Sequence, residues 1–183
     1  MKEISLNILD IVRNSVEAGA KNIRIEIRES DQSDVMLIKI IDNGCGMEAE
    51  FLQRADDPFT TSRKTRKVGM GIPLLKMQAL QAEGSLQIES QPGTGTKLTA
   101  TFMKSHLDRQ PMGDIIGVLK LLLMAEKEID IDYFHSTDKG EYEFSSKEAK
   151  EVLGVTSFND PVLARDIANL LKENLLDIEA EIN

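Results

Sequence analysis

The stretch Ile40-Ile41-Asp42-Asn43-Gly44-Cys45-Gly46-Met47 ends an apolar run on a carboxylate and follows it at once with two glycines spaced by one residue. A buried strand would carry Asp42 to the mouth of a tight turn. Glycine there lets main chain approach a ligand closely. A carboxylate walled in by strand and turn can accept from a flat donor such as an adenine amino group, and a hydrogen bond with one ionised partner contributes about 1.5 to 3 kcal/mol. Asp-Asn-Gly alone is equally a hairpin turn, so the reading depends on what stands either side. Upstream, Glu3, Asn7, Asp10, Asn14 and Glu17 follow one another at steps of three or four, a line of carboxylates and amides along one side of a helix. A solvated stripe would more naturally use lysine, glutamate or glutamine, because asparagine and aspartate are mediocre helix formers. Downstream, Asp57-Pro58-Phe59-Thr60-Thr61-Ser62 leads into Arg63, Lys64, Arg66 and Lys67, and Gly69-Met70-Gly71 then opens a helix at Ile72. A glycine-rich helix entry offers unpaired amides and the positive end of the dipole together, which suits an anion. The basic segment before it would supply counter-charge for phosphates; the plain alternative is a flexible basic loop.

The elements that must position these groups are legible from periodicity. Ile4, Ile8, Ile11, Val12 and Val16 share one face of a helix over residues 4–19, closed by Gly19. Asn22 to Arg28 alternates as a half-buried strand, Val35 to Ile41 is the next, and Glu48 to Arg54 is a short helix. A helix then runs to about Glu83, with Pro73 in its first turn. Leu86 and Ile88, then Leu98, Ala100 and Phe102, mark two strands joined by a turn from Gln91 to Thr96. The expected fold is α+β, a two-layer sandwich of a mostly antiparallel sheet with helices on one face.

Among 183 residues there is one cysteine, Cys45, so disulfides within the chain and cysteine-based metal sites are excluded. No apolar run approaches the roughly 20 residues of a membrane span, and the first residues begin a helical pattern with no signal-like segment, so a cytoplasmic address without membrane contact is expected. The net charge of -9 is uneven: residues 1–103 carry 13 basic and 14 acidic side chains, residues 104–183 carry 9 and 17. The shift suggests a boundary near Lys104, with 1–104 as one domain and 105–183 as a small acidic α+β module. An acidic chain is a poor general binder of nucleic acid, which requires clustered lysine and arginine.

Taken in order, the motifs over residues 4–103 resemble the GHKL superfamily of ATP-binding domains, shared by bacterial histidine kinases, anti-sigma-factor serine kinases, type II topoisomerases and mismatch-repair ATPases. The resemblance implies a Bergerat-type ATP-binding fold and the cofactors ATP and magnesium. It places Asn14, in Asn-Ser-Val-Glu-Ala-Gly-Ala, on the metal. Asp10 falls where many members have a glutamate that orients water or an acceptor hydroxyl. Asp42 matches the adenine-binding aspartate, with Gly44, Gly46 and Met47 behind it. Pro58-Phe59 looks like the phenylalanine box, Thr60, Thr61, Arg63 and Lys64 like the phosphate lid, and Gly69, Met70, Gly71 and Ile72 like the second glycine box. Thr96 looks like the threonine that closes over the adenine. Three positions depart from the kinase pattern: Lys67 stands where a further glycine is common, Glu17 where many histidine kinases carry a lysine, and Asp10 is one methylene shorter than the usual glutamate.

In the second half, Met112 to Glu128 reads as an apolar helix, Ile129 to Ser136 and Glu141 to Ser145 as a hairpin, and Ser146 to Leu153 and Pro161 to Ile182 as helices, the first capped by a serine. The run Ser105-His106-Leu107-Asp108-Arg109-Gln110-Pro111-Met112 resembles a histidine-kinase phosphoacceptor box, but it follows the ATP domain, and a linker whose proline starts a helix explains it as well. The expected function is histidine-kinase-like or anti-sigma-like phosphotransfer to a protein acceptor, with Asp10 polarising that acceptor and the carboxy-terminal module recognising a partner. The rival is a binding module that ATP switches between conformations, with slow or no hydrolysis.

Overall fold

The computed structural model describes residues 3–52, 71–125 and 128–182. Its elements are α1 (Ile4–Glu17), β1 (Asn22–Ser30), β2 (Val35–Asp42), α2 (Ala49–Leu52), α3 (Gly71–Gln81), β3 (Ser85–Gln91), β4 (Gly95–Met103), α4 (Ile115–Ala125), β5 (Asp130–Ser136), β6 (Glu141–Ser145), α5 (Ser146–Leu153) and α6 (Pro161–Asp177). The six strands make one sheet in the order β3-β4-β2-β1-β5-β6, antiparallel at every junction except the parallel pair of β1 and β5. The fold is α+β, mostly antiparallel, as the alternating patterns predict.

Register explains where the core lies. Ile88, Leu98, Ile40, Ile25, Tyr133 and Phe144 are successive cross-strand neighbours, so one apolar row crosses the whole sheet on the helix-covered face. The row at the far end of β2 is different. There Ser90, Thr96 and Asp42 precede Ile23 and Ile131, so three polar side chains interrupt an otherwise apolar face at one end of the sheet.

α1 buries Ile4, Ile8, Ile11 and Val12 on that face. No side chain caps it; the amides of Ile4 and Ser5 donate to the carbonyls of Pro111 and Met112 at 3.0 and 2.8 Å, which satisfies donors that a helix start leaves open. This duty changes α4, which begins at Ile115 and not at the expected Met112. Gly113 turns the chain with a φ of +76°, and Met112 N donates to Glu181 Oε1 at 2.9 Å. α6 likewise stops at Asp177, short of the expected Ile182. Its tail leaves the helix because Glu181 N donates to Glu29 Oε1 at 2.9 Å and Thr137 Oγ1 donates to the Ile178 carbonyl. Ser146 does not cap α5; its hydroxyl accepts from Ile131 N at 2.7 Å. The side chains that cap helices among the described residues include Asp114, which accepts from Gly117 N at 2.7 Å ahead of α4, and Asp160, which accepts from Val162 N and Leu163 N ahead of α6.

Candidate functional site

The polar end of the sheet is built around the last residue of β2. Asp42 Oδ2 accepts from Ser15 Oγ at 2.7 Å and Oδ1 accepts from Gly44 N at 2.9 Å, so strand, helix and turn each fix the carboxylate. The turn is held from three sides. Cys45 N donates to the Ala18 carbonyl at 2.9 Å, Gly93 N donates to the Cys45 carbonyl at 2.8 Å, and Met47 N donates to Ser90 Oγ at 2.9 Å. Asn43 Oδ1 brackets the start of β1 by accepting from Lys21 N and Asn22 N at 2.8 and 2.9 Å.

Glycine is required here by space. Gly46 has a φ of +68°, and a Cβ on it would stand 2.0 Å from the Gln91 carbonyl oxygen; a Cβ on Gly95 would stand 2.0 Å from that of Asp42. Thr96, opposite Asp42 in the ladder, lies 2.9 Å from Ser90 Oγ. Because Ser90 gives its own proton to the Gly95 carbonyl at 2.9 Å, the proton in that contact comes from Thr96, whose oxygen keeps acceptor capacity only.

α1 supplies the second wall. Asp10 and Asn14 are both half-buried, one turn apart. α3 runs antiparallel to α1, with Gln78 beside Asn7 and Gly71 beside Asp10: a Cβ on the buried Gly71 would lie 2.9 Å from Asp10 Cβ. Gly71 thus stands against Asp10, one turn before Asn14 on α1. Ile72 packs against the core. Asn7 departs from the expected polar stripe. It is fully buried, and its Nδ2 donates to Gln78 Oε1 at 2.6 Å. Glu17 at the other end of the stripe is exposed. Phe59, Thr60, Thr61, Arg63, Lys64, Gly69 and Met70 lie outside the described residues.

The structure thus brings Asp10, Asn14, Asp42, Gly44, Gly46, Met47, Gly71, Ile72 and Thr96 to one end of the sheet and its covering helices. Sequence reasoning missed Ser15, Asn43 and Ser90. A signal existed for Ser90, a serine at the inward position that Leu86 and Ile88 establish. His106 lies elsewhere. β4 pairs with β2 from Thr96 beside Asp42 to Met103 beside Val35, a distance of about 23 Å at the usual strand rise. His106 follows that far end and sits in a turn, its Nδ1 accepting from Asp108 N at 3.1 Å. Arg109 grips Glu181 with two bonds of 3.2 and 2.8 Å and donates to the Lys104 carbonyl at 2.6 Å. The run is a connector whose last two carbonyls cap α1; Pro111 starts no helix, since α4 begins only at Ile115.

The donor set fits the implied nucleotide and cation. The turn after Asp42 packs its backbone directly on the β3–β4 hairpin, where a Cβ on Gly46 would strike the Gln91 carbonyl, so the Asp42 carboxylate stands on a fixed support. Magnesium is commonly held by one or two protein oxygens together with substrate phosphates, and Asn14 offers such an oxygen. Among the described residues no cluster of three or more His, Cys, Asp or Glu could hold a metal alone.

Residues 2–106 match the family described as histidine kinase-, DNA gyrase B-, and HSP90-like ATPase. Sporulation kinase D of Bacillus subtilis (strain 168) is 33% identical over 95 residues, 52% of this chain and 19% of that kinase. DNA mismatch repair protein MutL of Clostridium perfringens (strain 13 / Type A) is 46% identical over 56 residues, 31% of this chain and 8% of that protein. The chain therefore spans a fifth or less of these two curated relatives. A solved N terminal domain of a DNA repair protein matches at a TM-score of 0.51 and 15% identity, covering 79% of this chain and 52% of that one; the likeness is one of fold. Among the described residues no helix is long and apolar enough to cross a membrane.

Proposed function

Since the chain belongs to the histidine kinase-, DNA gyrase B- and HSP90-like ATPases, we propose that the polar end of its sheet binds Mg-ATP and that the chain acts as a histidine-kinase-like phosphotransferase toward a separate protein acceptor. Asp42 receives the adenine amino group. Gly44, Gly46 and Met47 line the turn beneath the base, and Thr96 accepts at its edge. Asn14 contributes to the magnesium site, and Asp10 polarises the acceptor hydroxyl or water. The segment from Phe59 to Gly71, with Thr60, Thr61, Arg63, Lys64, Gly69 and Met70, contacts the phosphates ahead of Ile72. The bound nucleotide supplies the phosphoryl group. Residues 105–183 take part in recognising the protein partner, in a cytoplasmic setting.

The observation that carries this reading is the carboxylate of Asp42, held by Ser15 and Gly44 at the head of a turn that admits only glycine at position 46. Calorimetry of the whole chain with ATP, ADP and adenosine, with and without magnesium, tests it directly. Magnesium-dependent tightening of ATP is expected, and its absence removes the assignment. Incubation with labelled ATP, alone and with cell extract, then separates transfer from the alternative of an ATP-gated switch. The shorter Asp10 favours that alternative, because a carboxylate one methylene back reaches its proton less well. Label on a second protein supports transfer. ATP-dependent partner affinity without label supports the switch.

A further inference from the structure

We propose that the buried Asn7–Gln78 pair is a register pin that fixes α1 against α3, and with it the spacing between Asp10 and Asn14 on one helix and Gly71 on the other. The inference rests on the nucleotide-site reading above. Asn7 and Gln78 are 0% and 3% exposed, and their amides meet at 2.6 Å across the helix pair. Around them the two helices bury Ile8, Ile11, Leu75 and Ala79. An apolar seam of this kind tolerates sliding. A single polar pair within it specifies one alignment at a cost in stability, as buried asparagine does in coiled coils.

The cost is visible. Asn7 Oδ1 is buried without a hydrogen-bond partner among the described residues, a penalty that two leucines in the same space would not incur. The benefit lies along both helices in opposite directions. One turn beyond Asn7 stands Asp10, two turns beyond stands Asn14, and two turns back from Gln78 stands Gly71, against Asp10. Glycine at 71 permits the close approach, and the amide pair holds it. A slip of one residue is about 1.5 Å, more than a bond of 2.6 Å can absorb, and enough to misplace Gly71 and Ile72 relative to Asn14. Asn7 and Gln78 are positioning residues and touch no ligand.

The test replaces both amides by similar apolar bulk, Asn7→Leu with Gln78→Leu, in the whole chain. The expected variant melts at or above the wild-type temperature and binds adenosine within about threefold of wild type, while its preference for Mg-ATP over adenosine falls by about 10-fold or more. The exchanged pair, Asn7→Gln with Gln78→Asn, keeps one donor, one acceptor and the combined length, and should restore the preference. An unchanged preference in a folded apolar variant overturns the pin, and so does an exchanged pair as impaired as the apolar one. Where the apolar pair does not fold, Gln78→Met alone is measured below its own melting temperature with the same two readings. A wild-type chain that shows no magnesium-dependent ATP binding overturns the nucleotide reading itself, and the pin with it.

Discussion

Asp42 has both carboxylate oxygens engaged by the protein, through Ser15 and Gly44, so its position is set before any ligand arrives and little ordering remains to be done on binding. Asp42→Asn keeps the shape but removes the ionised acceptor. Adenosine and ATP should each bind about 10- to 100-fold more weakly to a folded variant, the loss of one charge-assisted bond; calorimetry giving wild-type affinity would remove Asp42 from the site. Ser15→Ala asks a finer question, since Ser15 touches no proposed ligand and only steadies Asp42. It should weaken adenosine by less than Asp42→Asn does, at a stability cost of about 1 kcal/mol read from a urea midpoint. The placement of Asp42, Asn14 and Asp10 was legible in the sequence because Asp42 ends an apolar run ahead of two glycines, and Asn14 and Asp10 are mediocre helix formers in line on one helix face. Ser15 and Asn43 were not, because a helical serine and a turn asparagine are ordinary where they stand and only the fold brings their partners near. Asn7 was misplaced for a related reason: spacing puts it in line with Asp10 and Asn14, but nothing local reveals that α3 covers it.

Element boundaries failed where long-range bonds decide them. Periodicity finds α1, α4 and α6, yet the start of α4 and the end of α6 are set by Met112, Glu181 and Glu29, which are far apart in the chain. The connector from Ser105 to Met112 is held at its start by Asp34, which accepts from Ser105 N and Oγ at 2.7 and 2.8 Å, and at its end by an ion pair in which Arg109 binds both oxygens of Glu181 while Glu181 also accepts from Met112 N. Breaking one partner leaves a half-buried charge and loosens the carbonyls that cap α1. Arg109→Ala and Glu181→Ala should each lower stability by about 1 to 3 kcal/mol. The double variant should lose less than the sum, because both changes remove one shared contact. Denaturant unfolding of the four proteins checks this, and strict additivity would mean that the pair does not act as a unit.

At the scale of the molecule, the second half of the chain completes the first. β5 pairs with β1 along Asn22 to Arg28, and the buried core is contiguous from Ile4 to Ala180. The buried link is polar: Tyr133 and His135 of β5 join Glu29 of β1 through bonds of 2.6 and 2.7 Å, and Lys104 ion-pairs with Glu29 at 3.0 Å. Burial alone would raise the Glu29 pKa, but the bonds from His135, the Glu181 amide and Lys104 outweigh it and hold the group down to about 2, against an ordinary 4.5. A depressed carboxylate contributes stability that is whole above the unfolded value and fades as pH falls through the folded one. The loss therefore runs from about pH 4.5 to about pH 2 and amounts to about 3 kcal/mol; Glu29→Gln should lower stability at pH 7 and flatten this acid limb in urea titrations. The composition shift near Lys104 and the family match ending at 106 both suggest that the first part is complete. The contacts argue otherwise for folding. A chain cut after His106 would leave the amides of Ile4 and Ser5 without the carbonyls of Pro111 and Met112, strip β5 from β1, and open to water the core side chains that α4, β5 and α6 cover. Each large apolar side chain returned to water forfeits about 1.5 to 3 kcal/mol, and several are exposed at once in a domain whose net stability is of order 10 kcal/mol. The 1–106 fragment should therefore lack a cooperative thermal transition and fail to bind ATP. A fragment that melts cooperatively and binds with wild-type affinity would show that the site needs nothing beyond the family's own span.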